Sequence, residues 1–194
     1  MSKITREDLY SLEDYTAMRD DYRKKIMAHK ESRRLEIGDN VLLSFEDKLI
    51  MLYQIQEMLK AEKIFDAAGI EEELAAYNSL IPDGSNWKAT MLIQYPDVEE
   101  RQQKLTQLIG IEGLTWMQVE GFDKIFAIAD EDLERDNAEK TSAVHFMRFE
   151  LNNDMAAAVK AGSAISSGID HENYKASINP VASNLRDSLA SDLD

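Results

Sequence analysis

The chain contains no cysteine. That removes disulfides, thiolate zinc sites, cysteine-ligated iron–sulfur clusters and cysteine nucleophiles from the chemistry it can perform alone. Proline is scarce. Its three residues, Pro82, Pro96 and Pro180, each stand where a periodic segment stops. No apolar run approaches the ~20 residues that cross a bilayer. Residues 1–8 lack the apolar stretch of a secretory signal. A cytoplasmic protein without membrane insertion is the expectation. Cations are in deficit, with 22 Lys and Arg against 37 Asp and Glu, a net charge of −15. Such a surface repels phosphate backbones, so no nucleic-acid partner is expected. It favours solubility and attracts a basic protein partner.

Recognisable cofactor motifs are missing as well. There is no phosphate-binding glycine loop, no dinucleotide fingerprint and no His-Glu-x-x-His zinc motif. A Glu-x-x-His ferritin-type motif is also absent, so no di-iron bundle site is expected. No cofactor is predicted, although a mononuclear metal stays open as an alternative.

What is present suffices for a core. The apolar fraction is 44%, and 194 residues fit one domain. The patterns predict an α+β domain over residues 1–194, with a mainly antiparallel sheet of five to seven strands and helices packed on it. An N-terminal helical segment, about residues 5–32, packs on this body. Its spacing of Tyr15, Met18, Tyr22, Ile26 and His29 is one helix face. Residues 19–34 carry +4, which leaves −19 for the remainder.

Residues 45–96 form the centre of the pattern. A hairpin around Gly38-Asp39-Asn40 precedes them, and helices over 47–62 and 64–77 lead to a turn at Asp83-Gly84. A strand over 87–95 follows, apolar on both faces. Further on, the sequence predicts a helix over 98–108 and a hairpin of strands 114–120 and 124–129 about Gly121. Next come an acid-rich loop or frayed helix over 130–139, a strand over 143–151 and a helix over 155–161. A polar loop over 166–172 and a terminal helix over 181–193 complete the chain.

Several polar residues stand out of this packing pattern. Strand alternation puts His145 on the apolar face and Arg148 beside Glu150 on the other. His145, His171, Asp170 and Glu150 are the acid–base candidates. Arg148, Gln54, Glu57, Asp83 and Asn86 are the binding candidates. A metal would draw on His145, His171, Glu57 and Glu62. Glu62 falls on the apolar stripe of its helix, which leaves either a frayed, solvated end or a buried carboxylate with a raised pKa.

Longer strings carry a family likeness. Tyr53-Gln54-Ile55-Gln56-Glu57-Met58, Ile81-Pro82-Asp83-Gly84-Ser85-Asn86-Trp87, Ala127-Ile128-Ala129-Asp130-Glu131, Lys140-Thr141-Ser142-Ala143-Val144-His145-Phe146 and Gly168-Ile169-Asp170-His171 together resemble a bacterial domain-of-unknown-function family of about this length. The resemblance spans nearly the whole chain. Genes of that family often lie beside those for a rubrerythrin-like protein and an iron–sulfur oxidoreductase. It therefore implies an accessory role in oxidative-stress or electron-transfer chemistry, with one of those proteins as partner. The family carries no assigned activity, so no catalytic residue is transferred. The alternatives are a small metal-dependent enzyme and a small-ligand sensor with its pocket against the 87–95 strand.

Overall fold

Short polar side chains start most of the helices. The computed structural model describes residues 3–131 and 139–194. Ser11, Asp47, Asp66, Asp97 and Asn152 each accept a hydrogen bond from the backbone N–H three residues on. They open α1 (Leu12–Glu31), α2 (Lys48–Glu62), α3 (Ala67–Asn78), α4 (Val98–Gln107) and α5 (Asn153–Lys160). The last helix, α6, runs Ser183–Ala190, shorter than the 181–193 read from the sequence. Lys63 adopts a left-handed φ of 55° and ends α2 one residue past Glu62.

The strands are β1 (Arg34–Ile37), β2 (Val41–Phe45), β3 (Asn86–Ile93), β4 (Thr115–Val119), β5 (Ile125–Phe126), β6 (Ile128–Ala129), β7 (Val144–Glu150), β8 (Ile165–His171) and β9 (Tyr174–Ile178). The α+β class holds, and every pairing is antiparallel. The strands divide into two sheets, ordered β1-β2-β3-β7-β6 and β5-β4-β8-β9. β3 is central, as its two-sided apolar pattern predicts.

Two segments depart from the sequence expectation. Residues 166–171 of the expected 166–172 loop are strand, most of β8, held between β4 and β9, and only Glu172 lies in the turn that follows. Its polar residues are tolerated because they find partners: buried Ser167 donates its hydroxyl to Trp116 O at 2.9 Å. The segment 124–129 is not one strand. Ala127 N donates to Thr115 O, and on either side β5 joins β4 while β6 crosses to β7 in the other sheet. Residues 132–138 of the acid-rich segment lie outside the described residues.

The main core forms between the sheets. Leu43, Phe45, Trp87, Met91 and Phe149 from the first meet Met117, Val119, Ile165 and Ile169 from the second, with Leu185 and Leu189 of α6. Each such side chain contributes about 1.5–3 kcal/mol through burial. Trp87 also donates its indole N–H to Leu189 O at 3.0 Å, which fixes α6 to β3. A second cluster joins Ile4, Ile50, Ile55, Leu59 and Leu74 across the N-terminal segment, α2 and α3. A third packs Tyr15, Tyr22 and Ile26 of α1 on Tyr53 of α2. Among the described residues, no helix is long and apolar enough to cross a membrane.

Candidate functional site

Strand β7 turns His145 inward, where it is wholly buried. Its Nδ1 sits 2.6 Å from Asp130 Oδ2. Its Nε2 lies 2.9 Å from Thr141 Oγ1 and 3.0 Å from Ser142 O, with Glu112 Oε2 at 4.0 Å. Asp130 holds a positive φ of 52°, and its other oxygen accepts from Phe146 N at 3.2 Å. This carboxylate therefore pins both the ring and the backbone of β7. Each ring nitrogen is engaged by a neighbour inside the fold.

His171 is placed in the other sheet. Its Nε2 donates to Ile109 O at 3.1 Å, and its Nδ1 accepts from Asn173 N at 3.2 Å. Neighbouring Asp170 faces outward and takes the ammonium of Lys124 at 2.7 Å. That contact, ahead of a smaller opposing effect of burial, holds its carboxyl below the ordinary range. Asp170 and His171 thus have separate partners and form no dyad.

Glu57 accepts Tyr15 Oη at 2.6 Å and two guanidinium contacts from Arg19 at 2.6 and 2.7 Å. The Arg19 fork keeps its carboxyl below the ordinary range. It bridges α1 to α2. Glu62 is exposed, which settles its reading in favour of the solvated helix end. The candidates His145, His171, Glu57 and Glu62 do not gather. Among the described residues, no three His, Asp or Glu side chains are arranged to hold a metal.

Four candidates do come together. Arg148 forks onto Glu131 at 2.8 Å through both Nε and Nη2, and its Nη1 donates to Glu150. Glu150 Oε1 accepts Asn86 Nδ2 at 3.0 Å. Asn86 Oδ1 in turn accepts Asp83 N at 3.2 Å. Asp83 Oδ1 closes its own turn by accepting Ser85 N and Oγ at 2.9 and 2.8 Å. The β3–β7 register places Lys88 directly opposite Arg148. Two cations facing each other repel, and Glu131 and Glu150 offset that repulsion. Lys88 donates to Ser79 O, and burial lowers its pKa. A cleft of about 350 Å³ opens here between the end of α3 and β7, lined by Leu80, Lys88, Glu131, Phe146 and Arg148.

The most heavily buried charges among the described residues carry no local sequence signal. Arg33, 1% exposed, donates to Asp192 Oδ2 at 2.5 Å, to Phe45 O and Glu46 O at 3.1 Å, and to Ser188 Oγ at 2.9 Å. Its Nε also lies 3.3 Å from Asp47 Oδ2, which meets His29 Nε2 at 2.5 Å. Arg33 thus ties the α1–β1 junction, the β2–α2 junction and the end of α6. Burial pushes the Asp192 carboxyl up to about 6 despite Arg33. Glu46 is raised too, again by burial first, although Thr90 Oγ1 donates to it at 2.6 Å. The basic segment 19–34 and the acid at the helix start were visible in the sequence. Nothing there signalled that residues so far apart as Arg33 and Asp192 would meet inside.

Comparison with known proteins gives a family and a structure. No curated protein matches the chain. A crystal structure of a protein of unknown function from Burkholderia pseudomallei is 47% identical, covers 100% of both chains and superposes with a TM-score of 0.94. A model of the family described as protein of unknown function, DUF3501, matches residues 3–193, and the chain belongs to that family.

Proposed function

We propose that the chain is an accessory protein that binds a basic partner in a redox or oxidative-stress system. The surplus of acidic charge carries this reading. The chain has 15 more acids than cations. The described arginines with ion pairs mostly spend their charge internally, as Arg19, Arg33, Arg148 and Arg186 do. Exposed acids such as Glu71, Glu72, Glu99 and Glu100 are left to set the field that a partner meets. The redox setting rests on the family resemblance, with the iron–sulfur oxidoreductase or the rubrerythrin-like protein as partner.

Surface plasmon resonance against each of those two proteins tests the reading. Binding is expected at about 20 mM salt and should weaken at least tenfold by about 300 mM, as the Debye length shrinks. Absence of association with either protein at low salt would defeat it.

A further inference from the structure

The geometry points to a second site, a small cleft at the N-terminal segment that binds an organic carboxylate with an apolar body. It goes beyond the partner-binding reading and stands apart from it. The cleft encloses about 280 Å³, where the 6–12 segment crosses the end of α2 and the start of α3. Leu59, Ile64 and Ile70 supply apolar wall, with Leu9 and Leu12 opposite.

Two side chains give the occupant its chemistry. Among the described residues, Arg6 is the one charged side chain lining the cleft, and it makes no ion pair with any of them. In a chain of net charge −15, a guanidinium beside an apolar wall is complementary to a carboxylate. Phe65 stands at the cleft, 70% exposed, and offers an aromatic face to an apolar body. The left-handed turn at Lys63 delivers Ile64 and Phe65 to this position. Behind Tyr10, which also lines the cleft, Gln56 is wholly buried. Its Oε1 accepts Tyr10 N at 2.6 Å, while its amide nitrogen has no partner. The volume sets the size. At interior packing density of about 0.75, it accommodates on the order of ten non-hydrogen atoms. That is an aryl-acetate or a medium-chain fatty acid, with the carboxylate on Arg6 and the body between Leu59 and Phe65.

The test is a titration of 15N-labelled protein with phenylacetate and with octanoate, following backbone amides of residues 6–12 and 59–70. Phenylacetamide serves as the uncharged control. At least one carboxylate should give saturable shifts confined to those residues, with Kd below about 1 mM. The amide should bind at least tenfold more weakly. Arg6→Gln should weaken the carboxylate about tenfold and leave the amide unchanged, whereas Phe65→Ala should weaken both. Both side chains are exposed, so the variants should keep the wild-type melting temperature. The proposal is overturned by no saturation up to about 10 mM. Equal affinity for acid and amide would overturn it too, as would shifts centred elsewhere, such as at Lys88 and Arg148.

Discussion

Asp192 shows what a buried carboxyl costs even when it has a partner. It is 2% exposed and touches Arg33 at 2.5 Å, yet its pKa rises to about 6 from an ordinary 3.8. Desolvation outweighs the pair. The native state therefore binds a proton that the unfolded state has released between about pH 4 and 6. Stability from this group is full below that window and falls as pH rises through it, by on the order of 3 kcal/mol. Glu46, raised for the same reason, adds in the same direction. Lowered carboxyls such as Glu57 and Asp83 oppose this only at more acid pH, where they begin to protonate. Urea unfolding at pH 5 and pH 7 should find the protein more stable at pH 5. Asp192→Asn should reduce that difference. An unchanged difference would mean that Asp192 titrates normally in the folded chain. These residues also mark the limit of reading a site from sequence. Arg148, Glu150, Asn86 and Asp83 were legible because strand alternation and turn chemistry are local. Arg33 with Asp192 was not, since residues 159 apart in sequence share no local pattern.

Strand β8 shows the same division for whole elements. Periodicity exposed α1, α2, β2, β3 and β7 because their apolar residues repeat at helical or strand spacing. β8 contains two serines, a glycine, an aspartate and a histidine, a composition of loops. It is a strand because both of its edges are hydrogen-bonded, with Ser167 and His171 partnered inside and Asp170 held by Lys124 at the surface. Gly168 is the residue that permits this. A Cβ there would meet Trp116 Cζ2 at 2.5 Å and Ala176 O at 2.7 Å. The backbone of β9 cannot give way without breaking its pairing with β8. Gly168→Ala should therefore destabilise the protein by about 1–3 kcal/mol, in the range of core overpacking. It should also alter the near-ultraviolet circular dichroism of Trp116. Gly113→Ala is the control, since nothing lies within 4 Å of its added carbon. A Gly168→Ala melting temperature matching that control would show that β9 and Trp116 adjust freely.

For the molecule as a whole, charge and topology pull in different directions. The two-sheet core and the three helices beside it are built from apolar contacts that salt leaves in place. The net charge of −15 opposes compaction, because like charges come closer on folding. The ion pairs that could offset it are mostly partly exposed, such as Lys24 with Asp21, Arg34 with Glu31 and Lys124 with Asp170. Such pairs are worth about 0–1 kcal/mol each. Salt weakens both the pairs and the repulsion, so the sign of its effect is decided by the larger of the two. Acids outnumber cations by 15, so the repulsion wins. Raising sodium chloride from about 0.01 to 0.3 M should stabilise the fold by about 1 kcal/mol and raise the melting temperature by about 2–4 °C. The buried contacts of Arg33 lie beyond the reach of screening and should contribute the same at both concentrations. A melting temperature that falls with salt would mean that the exposed pairs outweigh the surplus. The field available to steer a basic partner would then be smaller than the formal charge implies.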